Sequence, residues 1–419
     1  MQLVSDSVNA LNKGLGFFEH ALNAEQLARL NWNLLREDLS MPAAVIYQDR
    51  LRHNLNWMRE FISAYGLHLA PHGKTTMAPR LFEMQLQSGA WGITLATAHQ
   101  TLVAWRHGVR RVLMANQLIG KENMAIVGRL LEDPGFDFYC LVDSAAQVDQ
   151  LGDCYANRGQ RLQVLLELGV NGGRAGVRND EQLQRVIERL ASNREAVVLC
   201  GVELYEGVLD DEKAIRDFLR RAVEVTRRLK SENQFERCPA ILSGAGSAWY
   251  DVVAEEFSRA ELGDDIEIVL RPGCYLTHDV GSYRKAQTRI LESNFVARKM
   301  LEGLQPALQV WAYVQSIPEP EKAIIALGKR DAAFDSGLPV PGLHFRPGKM
   351  IPQTAPIHWT LTRMMDQHAY MRIAAQDDLC VGDMIGFDIC HPCLTFDKWR
   401  TLSVLDPQYR VVDIFQTFF

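Results

Sequence analysis

The chain has 419 residues, of which 47% are hydrophobic and 23% charged, with a formal net charge of −6. The length exceeds one ordinary core and the composition is that of a soluble globular protein, so two units are expected. Scattered Lys and Arg on a net acidic chain exclude a basic face for nucleic acid, and no apolar run nears the roughly 18 residues that a membrane span needs. Eight cysteines in so long a chain suit free thiols rather than a disulfide scaffold, and with no continuous hydrophobic signal core at the N-terminus the reading is cytoplasmic.

Residues 1–40 place apolar and charged residues at helical spacing and are expected to form a helical extension. The short strand "AAVIYQDR" (43–50) leads into the helix "LRHNLNWMREFISAYG". To about residue 280 the sequence then repeats one rhythm of short apolar run, turn and amphipathic stretch. The runs are "GLHLAPHGK", "GITLATA", "RVLMAN", "FDFYCLVD", "LQVLLELG", "VVLCGVELYEG", "PAILSGAG" and "IEIVLRPG". Runs this short, apolar on both faces and separated by helical patterns, are those of a parallel sheet covered by helices. The stretch after the first run shows the pattern: Pro79 suits a first helical turn, Leu81, Phe82 and Leu86 make one face, and Gly89 closes it. Eight units within 41–284 match a (β/α)8 barrel better than an open doubly wound sheet. Over 285–419 the segments "ALQVWAYVQSIP", "KAIIALGKR", "HWTLTRMMDQHAYMRI" and "VVDIFQTFF" read as strands of a second, mostly antiparallel β domain.

In such a barrel, chemistry gathers where strands end. The first strand ends in His72-Gly73-Lys74-Thr75, which mimics the end of a P-loop but has His68 where the motif requires glycine. An unpaired ammonium at a buried strand end loses its proton readily, and a desolvated lysine is an amine nucleophile able to form a Schiff base. Other strand ends supply Asn116, Asp143, "GVNGGRAGV" with Arg174, Glu203 with Tyr205, "SGAGS" (Ser243–Ser247) and "RPGCY" (Arg271–Tyr275). The Gly/Ser loop, with a following helix N-terminus, can cradle a phosphate. A phosphate site beside such a lysine suggests pyridoxal 5′-phosphate. Taken singly, Lys74 reads equally well as a surface lysine and "SGAGS" as an ordinary turn; the weight comes from their common place in one periodic scheme.

The segment "FDICHPCLTFDKW" (387–399) admits several readings. Cys390 and Cys393 have the C-x-x-C form of a redox pair but lie late in the chain among strands, and a structural zinc site lacks a second ligand pair nearby. As strand residues, His391 and Cys393 point to one side and can bind one metal with positions left open. Two ordinary buried residues of a β domain are the remaining reading.

Together, "PHGKT", "ELGVNGGRAGV", "LYEG", "SGAGS", "RPGCY" and "CHPC" resemble the pyridoxal-phosphate enzymes of the alanine-racemase fold, most nearly the D-serine dehydratase and D-threonine aldolase group. The resemblance runs in order from about residue 40 to the late His-x-Cys pair. It implies Lys74 as the Schiff-base lysine, with His72 beside it, and Arg174 facing the cofactor's phenolic oxygen. It implies Tyr205 near the pyridine ring, and Ser243, Gly244, Gly246, Ser247, Gly273 and Tyr275 around the phosphate. His391 and Cys393 would hold Zn2+. Thr76 stands where the dehydratases carry His, and Leu168 where an Asp is usual. In this group a His-x-Cys pair goes with dehydratases and His-x-Asp with aldolases. The implied activity is dehydration and deamination of a small D-β-hydroxy amino acid to a 2-oxo acid and ammonia. In it, Lys74 takes the α-proton and zinc holds the β-hydroxyl as leaving group. Aldol cleavage to glycine and an aldehyde, racemisation, and cofactor binding without catalysis are the alternatives. A homodimer is implied by the fold family.

Overall fold

The computed structural model describes residues 8–419. After β1 (Ala43–Tyr47) and the helix Gln48–Ala64, each of the eight apolar runs contributes a strand. These are β2 (His68–Leu69), β3 (Ile93–Leu95), β4 (Arg111–Gln117), β5 (Asp137–Val142), β6 (Leu162–Leu168), β7 (Val197–Leu204), β8 (Ala240–Gly244) and β9 (Ile266–Leu270). They form one parallel eight-stranded sheet in the order β2-β9-β8-β7-β6-β5-β4-β3. The sheet curls until its two ends meet. Trp91 N–H donates to the Leu69 carbonyl at 2.7 Å, Thr94 N–H to that of Pro71 at 2.9 Å, and His72 and Thr94 form a parallel bridge. A (β/α)8 barrel results, filled inside by Leu113, Tyr139, Leu165, Ile241 and Val269 among others.

Local chemistry sets where the covering helices begin. Thr97, Ser144 and Asn179 each accept the N–H three residues on, from Gln100, Gln147 and Gln182. Each of those glutamines returns a bond to backbone ahead of the helix, at Ala96, Asp143 and Arg178. The repeated [TSN]-x-x-Q spacing is a reciprocal capping signature, and it starts the helices that follow β3, β5 and β6. The helix expected after the first run spans Pro79–Gln87 with Pro79 in its first turn.

The second unit is a ten-stranded sheet. Its strands are β1 together with β10 (Leu308–Glu319), β11 (Lys322–Ile325), β12 (Val340–Phe345), β13 (Gln353–Thr354), β14 (Thr360–Met364), β15 (Ala369–Arg372), β16 (Met384–Asp388), β17 (Thr401–Leu405) and β18 (Val411–Gln416). Its main path runs β13-β12-β16-β10-β1-β17-β18, and all pairs are antiparallel except β1 with β17. All eight cysteines are free, and no helix among the described residues is long and apolar enough to cross a membrane.

Three expectations about organisation meet a different arrangement. The strand at 43–47, grouped with the barrel on sequence, lies in the middle of the second sheet, paired with β10 and β17 and buried along its whole length. Order along the chain places it before the barrel, but its partners come from beyond residue 300. The boundary expected at 285 falls inside the helix Ser282–Ser293, which buries Gln287 and Ile290. Of the helical extension 1–40, residues 1–7 lie outside the described residues. The remainder holds the six-residue helix Ala24–Arg29, a 3-10 turn at Leu34–Arg36 and a bridge between Val8 and Leu22. The 3-10 turn is tied by Leu34 N–H to the Tyr409 carbonyl at 2.9 Å, so this segment packs by tertiary contact rather than by helical propensity.

Gly201 marks a tight place in the barrel wall. The β6–β7 register slips between Val164 and Leu165, and a Cβ at Gly201 would stand 2.0 Å from the Ile241 carbonyl oxygen of β8. Backbone of a paired strand cannot move aside, so Gly201→Ala is expected to cost about 2 kcal/mol or more, read as a lowered midpoint in urea unfolding.

Candidate active site

The C-terminal ends of the barrel strands and one loop of the β domain enclose a cavity of about 190 Å³. Eight of the residues singled out above line it: His72, Lys74, Arg174, Tyr205, Gly246, Ser247, Gly273 and Cys393. Asn116 and Arg271, also named as strand-end residues, line it too.

Lys74 sits on the 3-10 turn Gly73–Thr75 that ends β2, with no room for a larger residue before it: a Cβ on Gly73 would meet Phe82 at 2.7 Å and Ile93 at 2.9 Å. Its ammonium is open to the cavity but partly desolvated. That desolvation pushes its pKa down, assisted by Arg174 and Arg271 and opposed by Cys393 and Cys274. The His72 imidazole is held neutral, its pKa driven well below the ordinary value by burial and then by Lys74 and Arg271. Its Nδ1 is buried without a hydrogen-bond partner.

The loop after β6 is shaped by its glycines. Gly176 has φ +91°, and a Cβ there would come 2.5 Å from the Leu168 backbone. Asp143 accepts the Gly176 N–H at 2.9 Å, and Arg221 holds the Gly169 and Val177 carbonyls at 2.9 and 3.2 Å. So pinned, the loop lays the Arg174 guanidinium over the Tyr205 ring, 5.1 Å from its centroid. Leu168, where an Asp was the family expectation, is buried and bridges to Val177, so it faces packing rather than the cavity. Thr76 is likewise buried inside its turn.

The Gly/Ser loop after β8 is held from behind. The buried Glu206 carboxylate accepts the Ala245 and Gly246 N–H groups at 3.1 and 2.6 Å, and Ala245 takes φ +79°. Ser247 Oγ then accepts the N–H groups of Gly273 at 3.2 Å and Cys274 at 3.1 Å. An anion entering this glycine-lined pocket would meet the Ser247 hydroxyl and compete with its Oγ for the two N–H donors, the makings of an anion cradle. The fit is close, since a Cβ on Gly273 would sit 2.5 Å from the His72 carbonyl oxygen. Below the cavity Arg271 is buried against Glu203 and donates to the Leu204 carbonyl at 3.0 Å. Burial pushes Glu203 up to about 8 despite Arg271, and Glu167 adds to the rise.

Three residues expected at the phosphate are not brought to it. Ser243 Oγ donates to the Val269 carbonyl at 2.9 Å inside the barrel wall, and Gly244 faces Phe257 and Val253. The Tyr275 hydroxyl accepts from Gln85 Nε2 at 3.1 Å and borders a separate cavity with Leu55 and Ile62. A loop residue's position in the chain does not reveal which way its side chain turns. In their place the cavity gains Thr75, Cys274 and Tyr283. Cys274 lay within the quoted "RPGCY", whereas Tyr283 starts a helix that no local signal linked to the barrel.

Cys393 of the His-x-Cys pair also reaches the cavity, by a route other than the expected one. It follows β16 in a loop, and Pro392, with φ −59° and ψ −45°, opens the helical turn Cys393–Phe396. A turn at proline, rather than strand alternation, brings the two side chains together. His391 Nδ1 bonds Asp335 Oδ2 at 2.7 Å, which orients the ring and leaves Nε2 for its hydrogen bond to Cys393. Cys393 Sγ lies 3.4 Å from Thr75 Oγ1 and 3.6 Å from Cys274 Sγ. The hydrogen bond from Cys274, and that from His391, pull the Cys393 thiol down to about 4. No three His, Cys, Asp or Glu side chains among the described residues are already closed around one point.

Residues 46–268 match the alanine racemase N-terminal domain, and residues 307–405 a putative serine dehydratase domain. The chain belongs to the alanine racemase N-terminal domain family. D-threonine aldolase of Arthrobacter sp. is 23% identical over 340 residues, which is 79% of this chain and 80% of that protein. The crystal structure of D-threonine aldolase from Filomicrobium marinum superposes with a TM-score of 0.75 at 21% identity, over 92% of this chain and 97% of that one. D-threo-3-hydroxyaspartate dehydratase from Delftia sp. HT23 does so with a TM-score of 0.71 at 22% identity, over 92% and 99%. One structure of a cysteine-to-alanine variant of that dehydratase is of a metal-free form.

The Tyr275 hydroxyl is engaged in packing here, as the acceptor of Gln85 Nε2. Tyr275→Phe leaves a buried Gln85 amide without its acceptor, at about 1–2 kcal/mol. A lower unfolding midpoint with unchanged affinity for pyridoxal phosphate is the expected result, measured by fluorescence titration.

Proposed function

We propose that this chain is a pyridoxal-phosphate-dependent lyase of small D-β-hydroxy amino acids, releasing a 2-oxo acid and ammonia. One observation carries the reading: the depressed Lys74 amine and the Cys393 thiol of the His-x-Cys pair face the same cavity, 3.4 Å separating that thiol from the residue next to Lys74.

The residues fit the cofactor. Ser247 Oγ with the Gly273 and Cys274 N–H groups would take the phosphate, the Tyr205 ring and Arg174 would border the pyridine, and Lys74 would carry the aldehyde carbon. When bound, the cofactor supplies an electron sink that acidifies the substrate's α-carbon. The chain's own part is acid–base and electrostatic. A lowered pKa leaves more Lys74 as free amine at neutral pH than an exposed lysine has, and that form accepts a proton. Arg174 and Arg271 give the cavity a positive bias suited to a phosphate and a substrate carboxylate. Burial keeps His72 neutral, so it adds a donor or acceptor without adding charge.

Zinc at His391 and Cys393 fits the donor chemistry, an imidazole oriented by a carboxylate and a thiol that ionises readily. Such an ion would hold the β-hydroxyl and stabilise it as it leaves. The metal-free form of a D-threo-3-hydroxyaspartate dehydratase cysteine variant supports a metal role in that relative. D-threonine aldolases and 3-hydroxy-D-aspartate aldolases are among the relatives, so aldol cleavage to glycine and an aldehyde is the second reading on the same lysine and metal pair.

Lys74→Ala is expected to abolish the visible absorbance of the enzyme-bound cofactor, and persistence of that band in the purified variant would refute the assignment. In an assay over D- and L-β-hydroxy amino acids, ammonia with 2-oxo acid is expected from D-substrates. Glycine with aldehyde would give the aldolase reading instead. Chelator is expected to remove activity and zinc to restore it; activity indifferent to chelator would eliminate the metal.

A further inference from the structure

A catalytic zinc site ordinarily holds its ion with three protein ligands and leaves one position for water or substrate. The His-x-Cys pair supplies two. Asp335 is already committed to His391 Nδ1 at 2.7 Å, where it orients the ring. The remaining soft donor is Cys274, at the end of β9 and across the junction between barrel and β domain.

We propose that Cys274 is the third zinc ligand, so that the site is a Cys₂His centre made by His391, Cys393 and Cys274 with one position open to the substrate. This rests on the zinc reading above. The geometry that carries it is the 3.6 Å between the two sulfurs. Tetrahedral zinc with bonds of about 2.3 Å sets its sulfur ligands about 3.8 Å apart. In the metal-free arrangement a thiol proton bridges the two sulfurs. On binding, the ion takes the place of that proton, which leaves to solvent. Among the described residues the three donors do not yet close around one point, so the ion would have to draw His391 onto the sulfur pair. Cys274 is buried, and its backbone N–H is fixed at 3.1 Å by Ser247 Oγ. A preplaced third ligand needs little ordering. The charge argument agrees: two thiolates neutralise Zn2+ without a carboxylate, leaving the open position to a β-hydroxyl rather than to a competing protein acid.

Two further consequences follow. Because Cys274 N–H belongs to the anion cradle and its Sγ to the metal, one residue joins both sites. The metal also ties the barrel to the β domain, through a strand-end loop of one and the proline turn of the other.

The test is X-ray absorption of the zinc-loaded wild-type protein, with cobalt as a second probe. Two sulfur neighbours per zinc are expected. In the cobalt-loaded protein, Cys274→Ser is expected to lose about half of the thiolate-to-cobalt absorption and to weaken zinc binding on the order of 10-fold or more. Cys380→Ser, an exposed cysteine remote from the cavity, is expected to leave both unchanged. One sulfur per zinc in the wild type, or an unaltered cobalt spectrum in Cys274→Ser, overturns the third ligand while leaving the zinc reading intact. A wild-type protein that takes up neither metal overturns both. If Cys274→Ser does not fold, the sulfur count in the wild type still decides.

Discussion

The barrel closes on its shortest strand, and the active face depends on that seam. β2 has two residues, too few to be held by its own ladder. Three tertiary contacts hold it: the bonds from Trp91 and Thr94 on one side and the Ala70 N–H to Leu270 carbonyl, 2.8 Å, on the other. The turn that carries Lys74 begins immediately after it. Gly273 presses on the His72 carbonyl from the β9 side, with space for hydrogen only. The amine, the anion cradle and the Cys274 thiol are therefore referenced to one seam, and a shift at closure would move all of them together.

Charge is distributed in layers around this seam. Lys74 and Arg174 face the cavity, whereas the acids Glu167, Glu203 and Glu206 are buried beneath or behind it. Glu206 is used on backbone N–H groups, and Glu203 is used on Arg271. Ionised buried carboxylates are costly, so Glu206 is met by two N–H groups, whereas Glu203 keeps one oxygen without a partner and is pushed toward its neutral form. The open side of the cavity is left to cations and to neutral donors, which is the field a phosphorylated cofactor and an amino-acid carboxylate require.

The second unit brings the Cys393 thiol into the cavity wall. His391, Cys393 and Asp335 all come from it. Aldolase and dehydratase relatives share this architecture at 21–22% identity. The fold is therefore shared by proteins named for two different reactions and does not by itself choose between them.

Much of this was readable in the chain itself. Apolar runs of strand length separated by amphipathic stretches fix local periodicity, and periodicity alone placed eight strands and their active ends. Tyr205 follows β7 directly and is carried to the cavity by it, whereas Lys74 and Arg174 stand further beyond β2 and β6 and are aimed there by a turn and by a pinned loop. The reciprocal caps at Thr97, Ser144 and Asn179 are equally local. Other features are set by pairing across long sequence separations, to which local pattern is blind. They include the place of Ala43–Tyr47 inside the second sheet, the turning of Tyr275 toward Gln85, and the arrival of Tyr283. The meeting of Cys274 with Cys393, 119 positions apart, is of the same kind. A residue's type and its neighbours in sequence determine which chemistry it can perform. Which partner it meets was decided only by strand register and by the packing of one unit on the other.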